Sequence, residues 1–147
     1  MYYAKERGRD NFQFYTPQLR QISEVKQNLE NSLHDSLKNQ EFILYYQPQF
    51  KIKSQQIVGA EALIRWNHPK FGLVPPDSFI PLLEQTGLIK QVGSWVLREA
   101  CSQCSKWLES GLVAPGFVMA VNFSGRQIKT IETANLINEV LKETNLS

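Results

Sequence analysis

The chain has 147 residues, 42% of them hydrophobic and 20% charged, the composition of an ordinary globular protein with one sizeable core. Its 16 basic and 14 acidic side chains leave a formal charge of +2 and form no dense run, which argues against a nucleic-acid polymer as partner. No apolar stretch approaches the roughly 20 residues that cross a bilayer, and the start MYYAKERGRD lacks the apolar centre of a signal peptide; a cytoplasmic location is expected, any membrane anchor of a longer parent lying upstream.

The opening residues have helical character to Lys5, break at Gly8, and put Phe12 and Phe14 on one side of a short strand. Over residues 19–37, Leu19, Ile22, Val25, Leu29, Leu33 and Leu37 recur every three or four positions among polar residues, which predicts an amphipathic helix. The texture then changes. FILYYQPQF (42–50) and IVGAEALIRW (57–66) are rich in β-branched and aromatic residues around the polar segment KIKSQQ, which predicts two strands joined by a turn. Residues 67–76 read as a loop, and Pro76 with Asp77 and Ser78 suits the first turn of a helix that carries Phe79, Ile80, Leu82 and Leu83 and stops at Gly87.

A longer helix over 89–109 sets Val92, Val96, Ala100, Cys104 and Leu108 one turn apart, with Gly111 just beyond its end. Cys101 and Cys104 share a face of it; no second Cys or His pair lies nearby in sequence, so reduced, partly buried thiols are a better reading than a zinc site. The apolar run FVMAVNF (117–123) predicts a strand buried on both faces, and Leu136, Ile137, Val140 and Leu141 mark a last helix over 132–143. This order of elements predicts an α/β domain with helices packed outside a sheet or barrel. Three strands cannot enclose a barrel, so more strands are expected downstream: residues 40–147 supply about 110, against roughly 250 in a complete (β/α)₈ barrel.

Glu61 interrupts an otherwise apolar strand, and a buried carboxylate asks for a cation or a metal. Arg65, four residues on, shares its face, so a buried Glu to Arg ion pair is the plainer alternative. Asn122 ends the later strand, where its amide oxygen could ligate a hard cation beside Glu61 if both strands belong to one barrel; otherwise it is a turn or cap residue, with Ser124 sharing that job. His68 within NHP reads as a loop residue bonding locally, His34 as a polar-side residue of its helix, and Trp66, Trp95 and Trp107 as packing anchors.

The run YYQPQF, then VGAEALIRWNHPKFGLVPPDSFIPLLEQTGLI, VGSWVLREAC and AVNFSGRQI, resembles the EAL domains of bacterial cyclic-di-GMP phosphodiesterases, with Glu61, Ala62 and Leu63 as the signature itself. MYYAKERGRDNFQFY resembles the last helix and strand of a GGDEF (diguanylate cyclase) domain, although the GGDEF signature itself is not in the chain. These resemblances imply a GGDEF remnant over residues 1–18, a linker helix over 19–39 and the first part of an EAL-type (β/α)₈ barrel over 40–147.

They further imply hydrolysis of cyclic-di-GMP to pGpG with two Mg²⁺ or Mn²⁺ ions in the complete domain. Carried over residue by residue, Glu61 is a catalytic metal ligand, Asn122 a second ligand, Arg65 a phosphate contact, and Gln47 and Leu63 part of the nucleotide pocket. One Glu and one Asn cannot fill two octahedral shells, so the chain alone is expected to be inactive. The alternative is a degenerate EAL module that binds cyclic-di-GMP or a partner protein for regulation. The linker helix could also support a homodimer in a longer protein.

Overall fold

In the computed structural model, which describes residues 17–128 and 131–146, the alternation along one strand, Ile57–His68, organises the rest. One face of that strand carries Ala60, Ala62, Trp66 and His68, all buried; the other carries Glu61, Leu63 and Arg65, all half-exposed. Period-two burial of this kind marks a sheet covered on one side only.

The elements in chain order are α1 (Pro17–Ser36), β1 (Phe42–Phe50), β2 (Ile57–His68), β3 (Gly72–Val74), α2 (Pro76–Thr86), α3 (Ile89–Glu109), β4 (Val118–Val121), α4 (Gly125–Ile128) and α5 (Ile131–Glu143). β1 and β2 form an antiparallel hairpin that pairs Phe42 with Trp66 and Gln47 with Glu61. β3 pairs antiparallel with β2 at Trp66–His68, and β4 pairs parallel with it, Glu61 facing Ala120. A parallel pair needs a long crossover, and α2 and α3 supply it.

The helix-facing side of the sheet holds the main core. Phe42, Trp66, Val74, Phe79, Leu82, Leu83, Val92 and Val96 pack there with Leu29 and Leu33 of α1. Trp66 and Phe79 are fully buried with their rings edge to face at 5.8 Å, and each such side chain contributes roughly 1.5–3 kcal/mol by burial. A smaller cluster of Leu97, Cys101 and Val140 joins α3 to α5, rimmed by the exposed ion pairs Lys90–Glu132, Arg98–Glu139 and Arg98–Glu143. Local signals act where expected: Pro76 opens α2, and Gly87 closes it in the left-handed conformation at φ 77°.

Several expectations are corrected. β2 runs on to His68 and the expected loop contains β3, because Gly72 at φ 68° lets the chain turn back on itself. β4 is shorter than predicted and not buried on both faces, since Val118 points to the uncovered side and is 60% exposed. The apolar stripe of α1 is covered only in part: Leu29 and Leu33 are buried, while Ile22 and Val25 stay exposed among the described residues. The expected GGDEF-like helix and strand over residues 1–16 lie outside the described residues. Among the described residues no helix is long and apolar enough to cross a membrane.

Candidate functional site

Strand register alone gathers the predicted residues. Gln47 on β1 and Ala120 on β4 flank Glu61 on opposite edges of β2, while Leu63 faces Tyr45 and Arg65 faces Ile43. Directly paired residues share a face, and residues two apart on one strand do too. Gln47, Glu61, Leu63 and Arg65 therefore line the uncovered face. Asn122, the residue after β4, completes the group: its Nδ2 donates to Glu61 Oε1 at 2.6 Å.

This contact bears on the ion-pair reading of Glu61. The carboxylate is half-exposed, not buried, and its partner is the Asn122 amide; among the described residues it forms no ion pair with Arg65. Arg65 instead donates through Nη1 to the Ile64 carbonyl oxygen at 2.8 Å and lies over the Tyr45 ring, 5.6 Å from its centroid. This cation–π contact and the Ile64 bond engage the guanidinium on the half-exposed face, where a fork of donors suits an anion. Four residues of strand set it roughly 13 Å from Glu61 along β2.

The donor set suits a hard cation. Glu61 offers carboxylate oxygens and Asn122 an amide oxygen, which Mg²⁺ and Mn²⁺ prefer over nitrogen or sulfur. With its N–H turned toward Glu61, Asn122 neutralises part of the carboxylate's charge; turned over, the same amide presents Oδ1 on the same side. The pair fits two positions of a cation shell and no more: among the described residues no group of three or more His, Cys, Asp or Glu converges.

Asn122 is not the cap of the following turn. Gln127 fills that role: its Oε1 accepts from the Ser124 backbone N–H at 2.9 Å, while the Ser124 Oγ is buried with no hydrogen-bond partner among the described residues. This is half of a capping box, and the S-x-x-Q spacing of Ser124 and Gln127 is the sequence signal that could have revealed it. Gly59, on the same face as Glu61, also escaped the sequence reading. His68 sits where a locally bonded residue should, its Nδ1 accepting from the N–H groups of Lys70 at 3.0 Å and Phe71 at 3.3 Å.

Comparison with known proteins gives this arrangement a family. Residues 30–147 match the EAL domain. The bifunctional diguanylate cyclase/cyclic di-GMP phosphodiesterase MucR of Pseudomonas aeruginosa is 35% identical over 98% of the chain, and the cyclic di-GMP phosphodiesterase PdeR of Escherichia coli is 37% identical over 99% of it. A solved MucR phosphodiesterase in complex with c-di-GMP superposes over 81% of the chain with a TM-score of 0.77 and 38% identity. The chain spans 23% and 21% of the two curated relatives and 47% of that solved chain. On the extent of the family match and these identities, the chain belongs to the EAL domain family.

Proposed function

We propose that this chain forms the first part of the active site of a cyclic-di-GMP phosphodiesterase, which opens one phosphodiester of the cyclic dinucleotide to give linear pGpG. The observation that carries the reading is the meeting of Glu61 on β2 and Asn122, just past the end of the parallel strand β4, at 2.6 Å on a sheet face lined by Gln47, Leu63 and Arg65. The printed names of MucR and PdeR and the bound ligand of the solved relative support the substrate class.

In this reading Glu61 and Asn122 hold Mg²⁺ or Mn²⁺ through oxygen, and a divalent cation there neutralises phosphate charge and acidifies a bound water. Arg65, in contact with the Tyr45 ring, presents N–H groups to a phosphate, and Gln47 and Leu63 border the base. Since the two ligands complete no octahedral shell, the 147-residue chain by itself is inactive and turnover belongs to a longer domain. That domain follows a linker that takes in the first turns of α1, preceded by the tail of a GGDEF domain, and works on the cytoplasmic side.

Glu61→Ala in the longest polypeptide carrying this chain tests the assignment. Release of pGpG in the presence of Mg²⁺ or Mn²⁺ is expected to fall by at least about a hundredfold. Full activity in Glu61→Ala removes this residue from the site. Tight cyclic-di-GMP binding with no turnover in the wild type replaces the hydrolase with a regulatory binding module.

A further inference from the structure

Asn122 lies on no regular element: β4 ends one residue before it and α4 begins three after. Its amide nevertheless meets Glu61 at 2.6 Å, so something beyond the ladder fixes the segment. The fixing contacts converge on Gln127, which is buried to 7% exposure. Its side-chain Oε1 accepts from the Ser124 N–H at 2.9 Å, and its Nε2 donates to the Ile89 carbonyl oxygen at 3.0 Å. Its own backbone N–H returns to the Ser124 carbonyl oxygen at 2.9 Å, and the Thr133 hydroxyl donates to its carbonyl.

One amide thus ties the loop two residues past Asn122 to the first turn of α3. The seat is cut to size by Gly93, where a Cβ would fall inside the Gln127 side-chain amide. Glycine inside a helix weakens it relative to alanine, so its presence in α3 answers to this contact. On either side of Asn122, Val121 packs on the main core and Phe123 on the smaller one.

We propose that Gln127 is a positioning residue: by holding Ser124 against α3 it keeps the Asn122 amide on the Glu61 carboxylate, and position 93 is glycine to leave it room. The geometric claim stands by itself; its consequence for cation affinity rests on the proposed function.

The test uses the full chain labelled with ¹⁵N-asparagine. The Asn122 side-chain signal is assigned by its loss in Asn122→Ala, and its partner-free position is given by Glu61→Ala. Gln127→Met, which keeps the volume and removes the side-chain hydrogen bonds to Ser124 and Ile89, and Gly93→Ala, which displaces the amide while favouring the helix, are each expected to move the signal to the partner-free position. Leu136→Ala loosens the smaller core without removing a side-chain hydrogen bond of Gln127 and is expected to leave the signal unmoved. An unmoved signal in Gly93→Ala and Gln127→Met overturns the proposal, as does an equal shift in Leu136→Ala. If Gln127→Met does not fold, Gly93→Ala decides alone.

Mn²⁺ titration then separates the latch from the metal reading. Gln127→Met is expected to weaken Mn²⁺ binding about tenfold, and to add nothing in an Asn122→Ala background. The same tenfold loss in that background overturns the route through Asn122. Unchanged Mn²⁺ binding in Asn122→Ala, with the asparagine signal moving as expected, removes the metal reading and leaves the latch standing.

Discussion

Gly59 approaches Val118 so closely that a Cβ on it would stand 2.6 Å from the Val118 carbonyl oxygen and 3.1 Å from Gln49 Oε1. The clash is with backbone, which cannot swing aside, and Gly59 pairs with Val118 in the same ladder that sets Glu61 beside Ala120. Only glycine lets β2 and β4 close to this spacing. Gly59→Ala is expected to cost about 1–3 kcal/mol in urea unfolding and to separate the Glu61 and Asn122 side chains. A variant of wild-type stability would mean that β4 shifts freely and that the spacing has another origin.

A second pair fixes the other end of the hairpin. The Trp66 indole N–H donates to Glu41 Oε2 at 2.8 Å, the Asn67 N–H donates to the Glu41 carbonyl oxygen at 2.8 Å, and Asn39 Nδ2 reaches Glu41 Oε1 at 3.2 Å. Trp66 has no exposed surface, so loss of its acceptor leaves a buried donor unpaired. Glu41→Ala should destabilise by about 1–3 kcal/mol, and Glu41→Gln, which keeps an acceptor oxygen, by less. Equal losses in the two variants would locate the effect in charge, not in the indole bond.

Much of this was legible beforehand because periodicity reports burial. The one-turn spacing of Val92, Val96, Ala100 and Cys104 marked α3, and the β-branched runs marked β1 and the start of β2. What stayed hidden depends on partners distant in sequence. β3 is three residues long and exists only because β2 extends to His68 to pair with it. The apolar run of β4 predicted cover on both faces, but burial is a property of neighbours and one face here has none among the described residues. At the site, residue types suggested Glu61 and Asn122, while the Arg65 alternative gave way only when the partners of both side chains, Asn122 for Glu61 and Ile64 with the Tyr45 ring for Arg65, were seen. Gln127 and Gly93 act as a pair 34 positions apart, which neither shows alone.

Tyr46 makes a prediction about alkaline pH. Its ring meets Trp107 edge-on at 4.9 Å on the helix side of the sheet; burial, and then the charge of Glu99, push its phenol up to about 12. Well below its ordinary value of 10 the phenol is protonated in folded and unfolded chains alike and contributes no pH dependence. Between about 10 and 12 the unfolded chain gives up the proton first, so stability falls as pH rises through that window. Tyr46→Phe is expected to flatten the decline in unfolding midpoint between pH 9.5 and 11.5, and to remove the latest step from the absorbance titration at 295 nm. Parallel declines in the two proteins would assign the alkaline transition to other groups.

The thiols of α3 report on whether α5 stays docked. Burial, and then the neighbouring Cys104, push the Cys101 thiol up, and burial alone raises Cys104. The thiolate is the reactive form, so both should react with an aromatic disulfide at pH 8 about tenfold or more slowly in the native chain than in denaturant. Their shelter differs, however. Cys101 shares the small core with Val140 of α5, which is fully buried, whereas Cys104 is no part of that cluster. The ion pairs at the rim are exposed and contribute little, so the apolar contact carries the docking. Val140→Ala, at a cost of about 2 kcal/mol, should therefore raise the reaction rate of Cys101 while Cys104 remains slow. Each rate can be read separately in Cys104→Ser and Cys101→Ser backgrounds. Equal acceleration of the two would mean that α3 itself opens, and that α5 is not the separate unit its small core suggests.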